Sequence, residues 1–245
     1  MKVMNILILC LLTMSAIPGS AAQNKVVLAA SEYPPYMGEK LPGQGFITEI
    51  IVTAFERVDY EVEVKFFPWA RGLEKTKEGH YDGMIGIWQR KEREQWFVFS
   101  APLPPNEIGF YKRVSETIPF ERFEDLKPYK IGVVRGYGNP PGFAEADYLK
   151  KSVVTDDAQN LKMVALGRID LALVDRALAQ YLIDTKLQDY KNVLEWMDPP
   201  LETVDQHLGI SKKVANYQQK LADFGRGLKL ITEDKTLAAS SAKDR

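Results

Sequence analysis

Residues 167–175 read Gly167-Arg168-Ile169-Asp170-Leu171-Ala172-Leu173-Val174-Asp175, an apolar strand that ends in a carboxylate. On either side the sequence has helical character, from Asp157 to Leu166 and from Arg176 to Ile183. Ile131 to Val134 and Val153 to Thr155 read as strands ahead of them, so strand and helix alternate. Repeated β-α-β units need parallel strands joined by right-handed crossovers, which makes this an α/β chain.

The same alternation occurs earlier. Lys25 to Ala30 is a short apolar run ending in Ser31-Glu32-Tyr33-Pro34-Pro35-Tyr36, whose prolines stop the ladder and fix an extended turn. Phe46, Ile50, Ile51, Ala54 and Phe55 recur at helical spacing, and Val62, Val64 and Phe66 then alternate with charged residues as in a half-buried strand. A short helix from Ala70 to Glu78 and a strand around Tyr81 to Ile87 complete this first series. Between the two series lie Pro102-Leu103-Pro104-Pro105 and the apolar run Ile108 to Tyr111. Asp198-Pro199-Pro200-Leu201 punctuates the far end, before a strand at Leu208 to Ile210 and a helix from Val214 to Leu230. The chain is expected to leave a first lobe (23–111), build a second (112–201) and return (202–245), each lobe a mostly parallel sheet flanked by helices.

Of the 245 residues, 45% are hydrophobic and 27% charged, and 32 Lys+Arg face 33 Asp+Glu, which excludes disordered, collagen-like and strongly basic classes. A net charge of −1 creates no long-range attraction to nucleic acid or an anionic membrane, so charge recognition must be local. The first 22 residues carry Lys2, the apolar run Ile6 to Leu12 and the small residues Ser20-Ala21-Ala22, and read as a secretory signal cleaved after Ala22. A periplasmic location is the expectation. Cys10, the only cysteine, lies inside that segment behind Leu9, where a lipoprotein site would want a small residue. The remaining chain therefore has no disulfide, catalytic thiolate or cysteine metal ligand. His80, in a Gly79-His80-Tyr81 turn, and His207 are too far apart in sequence to suggest a metal set, and neither metal nor cofactor is expected. Gly136-Tyr137-Gly138 follows a strand, with Asp156 20 positions beyond Gly136, but the third glycine of a dinucleotide fingerprint is replaced by Pro141. Walker, nucleophile-elbow and Ser/His/Asp patterns are absent.

Four features can carry ligand chemistry. Arg93, after a strand end, has the planar guanidinium that holds a carboxylate through two parallel bonds; the local alternative is a solvated run in which Arg90, Lys91, Glu92, Arg93 and Glu94 pair with one another. Asp175 stands where a strand stops, placed to accept from an ammonium group or, alternatively, to cap the next helix. Tyr33, with Tyr36, and the Pro68-Trp69-Ala70-Arg71 segment follow strand ends and can wall a cleft, with core packing as the alternative. Gly136 and Gly138 allow close approach of backbone N–H groups to an anion. The adjacent Asp156 and Asp157 are most simply helix caps, and Trp96 and Phe99 continue an apolar run and belong to the core.

In order along the chain, the Tyr-Pro-Pro-Tyr loop, Glu92-Arg93 leading to Phe99-Ser100, and Gly-Arg-Ile-Asp followed by Asp175 resemble the family 3 solute-binding proteins, the periplasmic amino-acid receptors of ABC importers. The likeness covers nearly the whole chain after the signal segment. It implies a type II periplasmic-binding-protein fold with two hinge crossovers, a small zwitterionic ligand between the lobes and a monomer that meets a membrane permease. The arginine six residues before the phenylalanine corresponds to Arg93 and would bind the ligand carboxylate. The aspartate five residues after the Gly-Arg-Ile-Asp aspartate corresponds to Asp175 and would bind its ammonium. Tyr33 matches the loop aromatic, and Trp69, with Arg71 beside it, falls at a side-chain pocket. The chain departs from the pattern at Tyr137 and Gly138, where a hydroxyl residue is usual, and at Gly86, Ile87 and Trp88, which makes Trp88 a further wall residue. Closure is expected about Gly109 to Lys112 and Leu201 to Asp205. Two alternatives share the scaffold: a cyclohexadienyl dehydratase-like enzyme with Asp175 as general acid, which needs a raised pKa there, and a ligand-sensing module for a membrane partner.

Overall fold

The computed structural model describes residues 24–234; the expected signal segment lies outside the described residues. The chain forms β1 (Asn24–Ala30), α1 (Phe46–Glu56), β2 (Tyr60–Phe66), α2 (Trp69–Lys77), β3 (Gly83–Trp88), β4 (Phe97–Phe99) and β5 (Leu103–Arg113). It continues through β6 (Lys130–Val134), β7 (Lys150–Val154), α3 (Asp157–Ala165), β8 (Leu171–Asp175), α4 (Arg176–Thr185), β9 (Leu194–Ser211) and α5 (Tyr217–Glu233). Among the described residues no helix is long and apolar enough to cross a membrane.

In the first lobe β1 runs parallel to β2 on one side and β3 on the other. Because successive side chains of a strand alternate in direction, Val26, Leu28 and Ala30 join the core under α1 and α5, while Ala29 joins a second cluster with Met84, Ile87 and Phe97. The apolar stripe of α1 meets α5 so closely that a Cβ built on Gly227 would stand 1.7 Å from the Ala54 carbonyl oxygen, and only glycine fits there. In the second lobe β6 lies between β7 and β8, all parallel. Asn160 of α3 is buried there and donates to the carbonyls of Gly132 and Leu173, tying the helix to two strands.

The lobes are joined by β5 and β9, which are antiparallel to their neighbours and place all nine strands in one sheet of order β2-β1-β3-β9-β5-β8-β6-β7, with β4 on β9. From the sequence, the return is expected as two separate pieces, a connecting strand at Leu201 to Asp205 and a strand at Leu208 to Ile210, with Asp198-Pro199-Pro200 as a break before them. The strand instead runs 18 residues through those prolines. Pairing steps from Ile108↔Glu202 to Phe110↔Met197, so Pro199 and Pro200 occupy a bulge where no ladder bond is required of them. Pro104 and Pro105 of β5 likewise fall in the register shift between Leu103 and Asn106. The strand lengths reflect this: one lobe-to-lobe ladder carries the bends that proline would otherwise forbid.

Candidate functional site

The carboxyl ends of β1, β3, β6 and β8 converge with the middle of β5 on a single cleft, whose empty volume including its mouth is about 670 Å³. Open α/β sheets bind ligands at this edge, where backbone groups and loop residues emerge together. From the first lobe come Tyr33 after β1, Trp69 at the start of α2, Trp88 at the end of β3 and Arg93 from a short turn of 3-10 helix. The second lobe contributes Tyr137 and Gly138 after β6, Asp157 at the start of α3, and Leu173 to Asp175 at the end of β8.

Arg93 donates from Nη1 to the Trp88 carbonyl at 3.0 Å, and its guanidinium lies 5.6 Å from the Trp69 ring centroid. Burial lowers its pKa, but a guanidinium stays protonated at any physiological pH. No carboxylate lies within ion-pair distance of it among the described residues, although four other charged residues adjoin it in sequence. Arg90 instead grips Glu202 through two bonds of 2.8 Å. The run thus does not neutralise itself at Arg93. The Trp69 indole N–H, also buried, has no hydrogen-bond partner among the described residues.

Across the cleft, Asp175 is 1% exposed and its carboxylate is fully engaged. One oxygen accepts from Leu178 N at 2.8 Å and caps α4; the other accepts from Tyr36 Oη at 3.1 Å and Asn106 Nδ2 at 3.0 Å. Burial pushes its pKa up to about 6 despite those donors. Asp157, 6% exposed, accepts from Tyr137 Oη at 3.0 Å, and burial together with the neighbouring charges of Asp175 and Asp156 raises it to about 7. The capping role expected of the Asp156–Asp157 pair falls to Asp156 alone, which accepts from Gln159 N at 2.8 Å. Tyr33 bridges the walls, stacked on Tyr36 at 5.8 Å and edge-on to Tyr137 at 6.0 Å.

Tyr33, Trp69, Trp88, Arg93, Gly138 and Asp175 all line the cleft; Arg71 and Gly136 do not. Arg71 is exposed beside Phe67. Two residues along a helix turn the side chain by about 200°, so with Trp69 facing the cleft Arg71 faces solvent. Gly136, exposed with φ +79°, forms the turn itself, and a Cβ there would come no nearer than 4.0 Å to Ala70 of the first lobe, whereas at Gly138 it would lie 3.4 Å from Trp88. Sequence reasoning missed Asn106 as a site residue. It is 1% exposed on β5, accepts from Trp88 Nε1 at 2.7 Å and donates to Asp175; no local pattern in the mixed sequence of β5 sets it apart from Glu107 beside it. Asp157 was seen but assigned to capping. Among the described residues no cluster of three His, Cys, Asp or Glu could hold a metal.

The sequence pattern of bacterial extracellular solute-binding proteins, family 3, matches residues 26–243. Comparison with curated protein sequences finds no match. Among solved structures, a histidine kinase sensor domain with similarity to periplasmic binding proteins is 22% identical with TM-score 0.76, covering 90% of this chain and 96% of that one. An ancestral arginine-binding protein bound to arginine is 18% identical with TM-score 0.74, covering 90% and 97%. An amino acid ABC transporter substrate-binding protein from Streptococcus pneumoniae, bound to L-arginine, is 15% identical with TM-score 0.71, covering 88% and 92%. These likenesses establish the type II periplasmic-binding-protein fold, and with the match over residues 26–243 the chain belongs to the bacterial extracellular solute-binding proteins of family 3.

Proposed function

We propose that this protein is exported by a cleaved signal segment and captures, as a periplasmic monomer, a small molecule bearing both a carboxylate and an ammonium group, an amino acid or close derivative, for delivery to the permease of an ABC importer. The observation that carries the reading is the guanidinium of Arg93, half-buried in the cleft without an acid partner among the described residues, opposite two buried carboxylates without a base. A ligand carboxylate fits the first and its cationic group the second. Charge-assisted bonds contribute about 1.5–3 kcal/mol each, so three or four of them with aromatic contact reach roughly micromolar affinity after the cost of association. The proposed lobes, 23–111 with 202–245 and 112–201, close about the paired β5 and β9 segments, so that only the closed form makes both sets of contacts. The relatives that bind L-arginine support an amino acid as the ligand class.

The test is calorimetry with the twenty L-α-amino acids on wild type and Arg93→Ala. At least one should bind near micromolar, and Arg93→Ala should weaken it about 100-fold or more while circular dichroism stays unchanged. Absence of any binder, or wild-type affinity in the variant, overturns the reading. A sensing role on the same ligand chemistry is favoured by the sensor-domain relative; neighbouring genes for permease and ATPase subunits would separate the two. Asp175, raised to about 6 by burial, meets one requirement of a dehydratase-like acid; turnover of prephenate or arogenate would establish that reading.

A further inference from the structure

We propose that Asp157, rather than Asp175, is the acid that directly receives the cationic group of the ligand, with Asp175 acting behind it as a positioning residue. This rests on the ligand-binding reading above and deepens it. Asp175 has both oxygens committed to partners that belong to the fold: a helix N–H, a phenol and an amide. Asp157 has one donor from another side chain, Tyr137, and no task in its own helix, because Asp156 already caps α3. A carboxylate this buried ordinarily sits beside a cation or among several donors. Among the described residues no Lys, Arg or His lies within ion-pair distance of Asp157, yet it faces the cleft.

The surroundings make the position sensitive to charge. Asp157 meets Asp156 beside it, Tyr137 from the loop after β6, Asp175 from β8 and Tyr33 from the loop after β1, with Arg93 on the opposite wall. A cationic group placed there relieves two negative charges at once, one by contact and one at longer range. Tyr137 links this event to closure, since it donates to Asp157 and packs edge-on against Tyr33 of the first lobe. Affinity for a cationic group should therefore fall on acidification, as Asp157 takes up a proton near pH 7.

The tightest of the twenty L-α-amino acids on wild type serves as the probe, titrated by calorimetry into Asp157→Asn, Asp157→Ser and Asp175→Asn. At pH 8 both Asp157 variants should lose about tenfold or more in affinity, with unchanged or raised melting temperature of the unliganded protein. Asp175→Asn should lose less affinity and melt lower. Wild-type affinity should drop about tenfold between pH 8 and pH 6, and that dependence should vanish in Asp157→Asn. Wild-type affinity in folded Asp157→Asn or Asp157→Ser overturns this inference alone; a wild type that binds no amino acid overturns the ligand-binding reading as well.

Discussion

On the first-lobe wall of the cleft, Arg93 leans on a carbonyl and an indole ring and keeps its charge through burial, because a guanidinium starts so far above neutrality. On the second-lobe wall, Asp157 and Asp175 are pushed toward neutrality by the same loss of water. Burial thus leaves one wall permanently charged and makes the charge of the other depend on pH and on what lies against it.

The sharpest way to break this comparison is to remove Asp175, the acid most deeply woven into its wall. Asp175→Ala loses the cap of α4 and leaves the Tyr36 and Asn106 donors unpaired, so unfolding free energy should fall by about 2–3 kcal/mol in a denaturant titration. A loss under half that size would mean the wall does not depend on it. The next effect is pH. Both carboxyls are raised above their unfolded value, so the folded protein holds extra protons between the two values. Stability of the unliganded protein is greatest on the acid side and is lost as pH rises through about 6 for Asp175 and about 7 for Asp157. Between pH 5.5 and pH 8 the expected fall is on the order of 2–3 kcal/mol, followed by urea midpoint, and smaller in Asp157→Asn. Ligand affinity should move the opposite way over the same range. The smallest effect separates neighbours: Asp156→Ala should cost about 1 kcal/mol of stability through the lost α3 cap while leaving amino-acid affinity unchanged. A change in affinity as large as that of Asp157→Asn would erase the distinction between the two.

The alternation of strands and helices was plain in the sequence because period-two and period-3.6 patterns record which faces are buried, as in Val62-Val64-Phe66 and the α1 stripe. The place of Arg93 after a strand end was visible, but the charge run around it reads equally as a solvated surface, and only the family resemblance singled it out. The extent of β9 was not, since proline announces a break and only the partner strand reveals that a bulge absorbs it. Asp156 and Asp157 look alike in the sequence, and the phase at which α3 begins sends one to solvent and the other to the cleft. The same helical phase separates Trp69 from Arg71. Asn106 owes its role to residues 18 and 69 positions away, which no local pattern records.

Asn106 lies on a strand shared by both lobes, and its amide is held at each end: the oxygen by the Trp88 indole of one lobe, the nitrogen by Asp175 of the other. An amide fastened in this way has a direction, because oxygen and nitrogen cannot exchange places without losing both bonds. Any swing that parts Trp88 from Asp175 must release one end of this crosspiece, so the joint between the lobes has a latched angle instead of turning freely.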